Sequence, residues 1–440
     1  MAATPITSHK IRLNPTPEQA AYLRRAAGTR RFTYNWGLAE WNRQYAAYHE
    51  EQQTVAEADR KLKPPMAMDL KQQFNAIREQ QFPRTYDVTK CAIEGAFFDL
   101  ADAFKRFFAG QTQYPQFKKK GKSHESFYIA NDKFMFGDHW TQIPVMGDFI
   151  LKQREAHGTH TEPIKNRHAY KYTLGKVNMA ESLRFRMSPP EGTQVKTGKR
   201  RHARKQVWCQ QVQIVGATVS HTAGHWYISI QVNIPKLAVV NTKPIVGVDV
   251  GIKESAVVSD GRRFENQKPL TKHLTKLKRL GRKFSKKQYD PQTKTSSHKR
   301  EKLKLKLARL HDEIACARLD AQHKLTTELA RTCSIVGIED LHVKGMFKNR
   351  KLARAMADAG VGQLLRFLQT KMETVGGRAI VVDRFYPSTK TCSGCGHVKK
   401  RMPLKYRTFI CLKCGLHMDR DFNAAINLCT EAHRLVALEA

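Results

Sequence analysis

Two acidic residues stand at the ends of matching apolar runs, and they are the residues of this sequence best suited to chemistry. Asp249 ends an apolar run within residues 244–260, and Glu339 ends a similar run within residues 335–346. Short apolar runs rich in valine and isoleucine are typical of buried strands. Carboxylates that converge at strand ends can bind hard divalent cations such as Mg²⁺. Because two such ions about 3.5–4 Å apart activate water and stabilise the leaving oxygen in phosphodiester cleavage, the pair predicts a nuclease site.

A glycine precedes each of these acids by two positions: Gly247 before Asp249, and Gly337 before Glu339. Side chains alternate between the two faces of a strand, so each glycine shares a face with its acid. We therefore expect a bare patch beside each carboxylate, with room for a metal ion and a phosphate backbone.

A third acidic segment, residues 419–427, reads DRDFNAAIN and opens a predicted helix. The apolar face of this helix is formed by Phe422, Ala425, Ile426 and Cys429. Asp419 and Asp421 both stand near its start, where an aspartate can serve simply as an N-cap for the backbone. The residues alone predict that this segment supplies a third acid to the site, and they do not show which of the two aspartates it is.

Four cysteines form two C-x2-C pairs that are separated by fifteen residues. They are Cys392, Cys395, Cys411 and Cys414. This spacing is typical of a tetrahedral four-cysteine zinc site, and a glycine follows each pair, as a tight turn requires. Since four thiolates leave no coordination position open, we predict a structural Zn²⁺. Thiol redox chemistry is the alternative.

The chain carries a formal charge of +38, from 77 lysines and arginines against 39 aspartates and glutamates. A surplus of this size favours a polyanionic partner, and nucleic acid fits better than an anionic membrane. The sequence shows no apolar run of about 18 residues and no signal-peptide pattern. The cysteines outside the quartet are scattered, which argues against a disulfide framework. We expect an intracellular protein that binds nucleic acid and no membrane.

The first half of the chain is predicted to be helical and then rich in strands. Thr16 and Gln19 form a capping-box pattern at the start of a helix, whose aromatic residues could form core or stack on bases. A second helix near residues 87–108 has a single apolar stripe, which predicts core packing. The stripe consists of Ile93, Phe97, Leu100, Phe104 and Phe107. Alternating residues up to Ile234 predict a half-buried strand in a hairpin that turns at Ala223-Gly224.

Basic runs lie on segments that we expect to be separate in the fold. Residues 114–122 predict a mobile cationic loop, and residues 196–205 predict a basic loop between strands. Residues 274–329 predict two long helices joined at residues 290–297. Residues 271–306 contain fourteen lysines and arginines against two acids. A helix pair with that imbalance would repel itself unless a polyanion lay against it.

Several longer motifs run through the chain: KIRLNPTPEQ, GTRRFTYNWGL, YPQFKKKGK, GVDVGIKESAVVSDG, IVGIEDLHVKGM with the following KNRKLARAMADAG, the cysteine ribbon after FYPSTKTC, and DRDFNAAIN. In these motifs the chain resembles the TnpB family, RNA-guided DNA endonucleases that are encoded by insertion sequences and related to the type V CRISPR effectors. The resemblance covers most of the chain. The motifs from GVDVGIKESAVVSDG onward, in this order, are highly specific.

The resemblance implies an α/β multidomain protein with a split RNase H-like RuvC nuclease domain and a four-cysteine zinc ribbon. It also implies an N-terminal β-barrel wedge domain into which a helical recognition lobe is inserted. The family's three acids fall on Asp249, Glu339 and Asp421, the last because the family's motif is an aspartate followed by x-Asn-Ala-Ala. These acids would hold catalytic Mg²⁺, with two ions expected.

The expected domain boundaries follow from the same resemblance. They are residues 1–14 and 136–243 for the wedge domain, 15–135 for the helical recognition domain, 244–390 and 416–440 for the RuvC-like domain, and 391–415 for the zinc ribbon. Residues 144–205 are longer and more basic than expected between the family's motifs. The role of this segment in RNA contacts therefore stays open.

By resemblance, we expect a cytoplasmic bacterial enzyme that cuts double-stranded DNA under RNA guidance. A guide RNA from the transposon end would pair with the target strand beside a short flanking motif. A non-cleaving nucleic-acid-binding regulator, a strand-joining transposase and a miniature CRISPR effector are the alternatives. The complete set of acids argues against the regulator, and the basic helical lobes fit a guide RNA better than a transposase.

Overall fold

The computed structural model describes residues 6–131, 134–137, 139–143, 174–182, 213–233, 243–289, 292, 296–403 and 405–439. The chain divides into two compact units: an N-terminal unit, Ile6–Ile234, and a C-terminal unit that includes Pro235–Ala440. The predicted basic loop at residues 196–205 lies outside the described residues, as does most of the segment 144–205. Among the helices of the described ranges, none is long and apolar enough to cross a lipid bilayer.

An antiparallel sheet forms the core of the N-terminal unit. Its strands are β1 Ile6–Asn14, β2 Glu125–Ala130, β3 Met135–Phe136, β4 Trp140–Gln142, β5 Lys176–Met179, β6 Gln213–Thr222 and β7 His225–Asn233. They pair in the order β2-β6-β7-β1-β5-β4-β3. The predicted hairpin is confirmed, since β6 and β7 pair around a turn at Ala223 and Gly224, and burial alternates along β7. Strand β2 precedes the expected domain boundary at residue 136, yet it belongs to this sheet.

Helices α1 Pro17–Thr54, α2 Ala67–Gln81 and α3 Lys90–Phe108 complete the N-terminal unit, with short 3₁₀ helices at Glu57–Asp59 and Pro83–Asp87. The predicted capping box is present: the Gln19 N–H donates to the Thr16 hydroxyl, and the Thr16 N–H donates to the Gln19 side chain. The α3 stripe is buried from Ile93 to Phe104, as predicted. Trp41 of α1 stacks on Phe104 with ring centroids 3.8 Å apart, which makes it a core residue.

The cationic loop at residues 114–122 is anchored at Lys118. The ammonium of Lys118 lies 2.9 Å from a carboxylate oxygen of Asp99 and 3.8 Å from the centre of the Tyr34 ring. The Asn35 side chain hydrogen-bonds both the backbone N–H and the carbonyl of Lys118, and burial lowers the pKa of this lysine. The prediction of a mobile loop is therefore wrong at this position. The loop's exposed cations are Lys119, Lys120 and Lys122.

A mixed sheet forms the centre of the C-terminal unit. Its strands are β8 Ile245–Asp249, β9 Glu254–Val258, β10 Arg263–Glu265, β11 Ile335–Glu339 and β12 Arg378–Val382. They lie in the order β10-β9-β8-β11-β12. Strands β8, β11 and β12 are parallel to one another, β9 is antiparallel to β8, and β10 is antiparallel to β9. Both acid-bearing runs are thus strands, as their composition predicted.

Helices cover both faces of this sheet. The helices of this unit are α4 Pro269–Ser285, α5 His298–Thr332, α6 Val343–Met346, α7 Arg350–Ala359, α8 Val361–Thr374 and α9 Arg420–Glu439, of which α5, α8 and α9 pack on the sheet. Helices α4 and α5 confirm the predicted pair of long basic helices. Leu329 of α5 and Leu368 of α8 share a buried core with Val248 of β8. Helix α9 packs on the opposite face, and a short hairpin of β13 Thr408–Ile410 and β14 His417–Asp419 precedes it.

Candidate active site and metal centre

The two strand-borne acids lie at one edge of the mixed sheet. Strands β8 and β11 are parallel neighbours in a register that pairs Gly247 with Gly337. Asp249 and Glu339 each stand two residues further on, as the last residues of their strands. Their side chains therefore leave the sheet at the carboxyl ends of adjacent parallel strands and on the same face.

The glycines before the acids allow helix α9 to pack closely on the sheet, which is a different role from the predicted one. A side chain at Gly247 would clash with the carbonyl oxygen of Ala425 and the backbone nitrogen of Cys429, both on α9. At Gly337, an added Cβ would lie 2.6 Å from the carbonyl oxygen of Leu428. The prediction that the bare face makes room for a metal ion and a phosphate backbone is therefore wrong. The helix backbone occupies that space, because glycine alone lets α9 approach so closely.

The start of α9 brings the third acidic segment to the sheet, and its two aspartates have different partners. The Asp419 Oδ1 atom accepts hydrogen bonds from the backbone N–H groups of Asp421 and Phe422, each 3.0 Å long. Asp419 is thus the N-cap of α9. Asp421 stands in the first turn, where its Oδ1 accepts from Arg420 at 2.8 Å. Among the acidic neighbours that raise the pKa of Asp249, Asp421 has the largest effect and Asp419 the smallest, so Asp421 is better placed of the two to share a metal ion with Asp249.

Asp249, Glu339 and Asp421 together form what we term the acidic edge. The pKa of Asp249 is raised to about 7, mainly by burial and then by the negative charges of Asp421 and Glu339. The positive charge of Arg420 lowers the same pKa. Burial also raises the pKa of Glu339, with a contribution from Asp340. Carboxylates that hinder one another's ionisation are stabilised by a bound cation. The oxygen donors and the crowding of charge at the acidic edge therefore fit a hard divalent ion.

The predicted cysteine quartet is brought together in space. Its four Sγ atoms all lie within 4.8 Å of one another, and the carboxylates of the described residues form no second group of this kind. The Sγ atoms of Cys392 and Cys414 are 3.6 Å apart, as are those of Cys395 and Cys411. Tetrahedral Zn–S bonds of ~2.3 Å place sulfurs about 3.8 Å apart. The Sγ separations in the quartet therefore fit a single tetrahedral Zn²⁺.

Two asparagines of α9 bind the cysteine ribbon to this helix, which also carries Asp421. The sequence analysis missed both asparagines. The Asn423 amide donates to the Thr391 carbonyl at 2.7 Å and accepts from the Ser393 N–H at 3.0 Å. The Asn427 amide donates to the carbonyls of Thr391 and Ser388. Both asparagines are buried. Their spacing of four residues was the available signal, because it places them on one face of a helix.

Family models match separate parts of the chain. A model described as "Probable transposase" matches residues 229–350, and one described as "Cas12f1-like, TNB domain" matches residues 362–428. A third, described as "Helix-turn-helix domain", matches residues 5–50. In this structure the described part of that third range consists of strand β1 and one long helix, α1.

Relatives match along nearly the whole chain. A protein of Streptomyces pristinaespiralis named "Putative RNA-guided DNA endonuclease" is 30% identical over 420 residues, which are 95% of this chain and 87% of the relative. The chain belongs to the TnpB family. A relative from Escherichia coli strain K12, named "Putative RNA-guided DNA endonuclease InsQ", is 28% identical over 98% of this chain and 94% of its own length. The resemblance to the TnpB family that the motifs indicated is confirmed.

A solved structure shares the fold of this TnpB-family chain. It is described as "Cryo-EM structure of the Cas12f1-sgRNA-target DNA complex", and it matches with a TM-score of 0.53 at 15% sequence identity. The match covers 97% of this chain and 99% of the Cas12f1 chain. At this level of identity the likeness concerns the fold alone.

Proposed function

We propose that the chain is an RNA-guided DNA endonuclease of transposon origin, in which Asp249, Glu339 and Asp421 bind Mg²⁺ as a RuvC-type site. The acidic edge is the observation that carries the proposal. Two acids end adjacent parallel strands, and the third lies on a helix whose close approach to that face depends on glycines. The activity named for the relatives from Streptomyces pristinaespiralis and Escherichia coli supports the same function.

The strand order supports an RNase H-like fold for the nuclease domain. Strands β8, β9 and β10 form an antiparallel meander, and β11 and β12 extend the sheet in parallel on the other side of β8. We assign residues 244–390 and 416–440 to this domain, with the zinc ribbon at residues 391–415 between them. We assign residues 1–14 and 136–243 to a β-barrel wedge domain and residues 15–135 to a helical recognition domain, which also supplies β2 to the wedge sheet.

The protein's part in catalysis is to hold three carboxylates where a divalent ion can bind them together. The sheet register fixes Asp249 and Glu339, and the packing of α9 fixes Asp421. Burial strips the carboxylates of water and thereby strengthens their attraction for a cation. Bound Mg²⁺, with two ions proposed, supplies Lewis acidity and a bound water of lowered pKa for phosphodiester hydrolysis. The quartet of cysteines holds a structural Zn²⁺, since it leaves no coordination position for a substrate.

The partners are a guide RNA from the transposon end and double-stranded target DNA, in the bacterial cytoplasm. Pairing between guide and target supplies sequence specificity, and protein side chains read the short flanking motif. Exposed cations on the helix pair α4–α5 support a polyanionic partner. At the start of α5 they include Lys302, Lys304 and Lys306.

The test of this function is whether cleavage follows a bound RNA. We expect the protein purified from cells to carry an RNA, and we expect the cut site in plasmid DNA to move when the guide segment of that RNA is changed. Site-specific cutting by nuclease-treated, RNA-free protein would contradict the proposal.

The contribution of charge is tested by changing Lys302, Lys304 and Lys306 together to Gln. Affinity for nucleic acid should fall about equally for all sequences, and the slope of log affinity against log salt should decrease by up to about 0.9 for each phosphate that is no longer neutralised. Lys324→Gln on the same helix is the control, because Lys324 is already ion-paired with Asp320 at 2.7 Å. An unchanged salt slope in the triple variant would exclude this surface.

A further inference from the structure

We propose that Arg420 is a positioning residue for the DNA-cleavage reaction: it holds Asp421 through one carboxylate oxygen and leaves the other available to Mg²⁺. This inference rests on the proposed function, because it assigns a role toward the metal that the acidic edge is proposed to bind. It adds Arg420 to the three acids of the proposed site.

The hydrogen bonds between the two side chains are unusually one-sided. The Arg420 Nε and Nη2 atoms both donate to Asp421 Oδ1, at 3.0 and 2.8 Å. Arginine commonly binds a carboxylate in a fork-to-fork manner, with one N–H on each oxygen. Here both donors converge on Oδ1, while the Arg407 Nη1 atom lies 3.8 Å from Oδ2, which is beyond hydrogen-bond length. Oδ2 is therefore the atom that remains for a metal ion.

The guanidinium of Arg420 is itself fixed in place. Its side chain is 8% exposed, and its Nη1 donates to the carbonyl of Tyr406 at 3.4 Å. The Arg420 backbone N–H donates to the carbonyl of Arg407 at 2.8 Å. A buried arginine that is hydrogen-bonded on several sides has little freedom to rotate, so the orientation of Asp421 is set by the segment of the ribbon around residues 406–407.

The charges around the acidic edge give Arg420 a second effect. Asp419 adds a fourth carboxylate beside Asp249, Glu339 and Asp421, and repulsion among four acids favours rotation of Asp421 away from the strand ends. The buried guanidinium of Arg420 opposes that rotation, and because it binds Oδ1 it does not compete with a metal ion for Oδ2. Because the guanidinium is buried, it acts through Asp421 and not by contact with DNA.

The experiment measures metal binding directly, by calorimetric titration of the full-length, nucleic-acid-free chain with Mn²⁺. Arg420→Met should weaken Mn²⁺ binding on the order of 10–100-fold, the usual effect of removing a side chain that orients a metal ligand. Arg420→Lys should fall between Arg420→Met and the unchanged protein, since an ammonium supplies the charge but not two converging N–H groups. In cleavage assays with guide RNA, raised Mg²⁺ should restore most of the activity that either variant loses.

The control is Arg434→Met, which removes an exposed arginine of the same helix that is paired with Glu431 and should leave Mn²⁺ binding unchanged. Asp421→Asn, titrated in parallel, separates the two proposals. If Asp421→Asn abolishes binding while both Arg420 variants bind like the unchanged protein, Arg420 has no positioning role. If Asp421→Asn also binds normally, the proposed acidic site itself fails. Zinc content and thermal unfolding verify folding, and if Arg420→Met does not fold, Arg420→Lys decides: unchanged binding overturns the proposal.

Discussion

The cysteine quartet and the acidic edge are both suited to metal ions, yet the chain builds them in opposite ways. The quartet comes from two short pairs in one segment, and its sulfurs already lie within 4.8 Å of one another. The acids come from two strands and a helix that are far apart in the sequence. Their carboxylate oxygens do not all lie within 4.8 Å of one another. Sequence spacing within one segment is enough to bring the four sulfurs together, whereas the arrangement of the acids depends on the packing of the whole C-terminal unit.

The largest expected effect is the loss of an acid. Asp249→Ala, Glu339→Ala and Asp421→Ala should each reduce DNA cleavage at least about 100-fold, since even indirect metal partners have effects of 10–100-fold. Binding of RNA and DNA should change little, because affinity rests on phosphate contacts. Plasmid-cleavage rates and filter-binding measurements on the same preparations test both statements.

Asp419→Ala is the matched control for Asp421→Ala. It removes the N-cap of α9 and should lower the free energy of unfolding by about 0.5–2 kcal/mol, while most of the cleavage activity remains. The opposite result, in which Asp421→Ala cuts and Asp419→Ala does not, would show that the third acid is Asp419.

The next prediction concerns the loss of a ligand from the cysteine quartet. Cys392→Ser should lower the zinc content from about one ion per chain and destabilise the C-terminal unit, because zinc–thiolate bonds supply folding free energy directly. The damage should reach α9, since Asn423 and Asn427 bind the ribbon segment next to Cys392. Elemental analysis and thermal unfolding measure the two effects.

Cys316→Ser, outside the quartet on α5, is the control for that substitution and should keep both the zinc and the unfolding temperature. Full cleavage activity in Cys392→Ser protein that has lost its zinc would show that the acidic edge forms without the ribbon.

The last prediction concerns the packing that assembles the acidic edge. Gly247→Ala should lower the free energy of unfolding by at least about 1–3 kcal/mol, the usual effect of overpacking, because the added Cβ would overlap backbone atoms of α9. It should also reduce cleavage, because α9 is displaced together with Asp421. Gly281→Ala on α4 is the matched control: nothing lies within 4 Å of its added Cβ, and alanine stabilises a helix by roughly 0.5–1 kcal/mol relative to glycine. Chemical denaturation that finds both variants equally stable would show that α9 does not need this glycine.

The sequence predicted those features that neighbouring residues determine. The capping box at Thr16 and the alternation along β7 involve groups within a few residues of one another, and the cysteine quartet lies within the single segment 392–414. The structure contains all three features. What the sequence could not show depends on distant segments. The backbone of α9 packs against Gly247, and Lys118 is hydrogen-bonded to Asn35 and ion-paired with Asp99. No local pattern indicates such partners.

The order of the segments along the chain has a consequence for protein synthesis. Strands β8 and β11 leave the ribosome before the cysteine ribbon, and the ribbon leaves before α9. Until α9 docks, the face that bears Gly247 and Gly337 is uncovered and two of the three acids are in place without the third. A nascent chain therefore has no complete acidic edge until α9 has left the ribosome and docked on the sheet. Under the proposed function, DNA near the translating ribosome is not exposed to an active nuclease until the ribbon has been made and α9 has docked on the sheet.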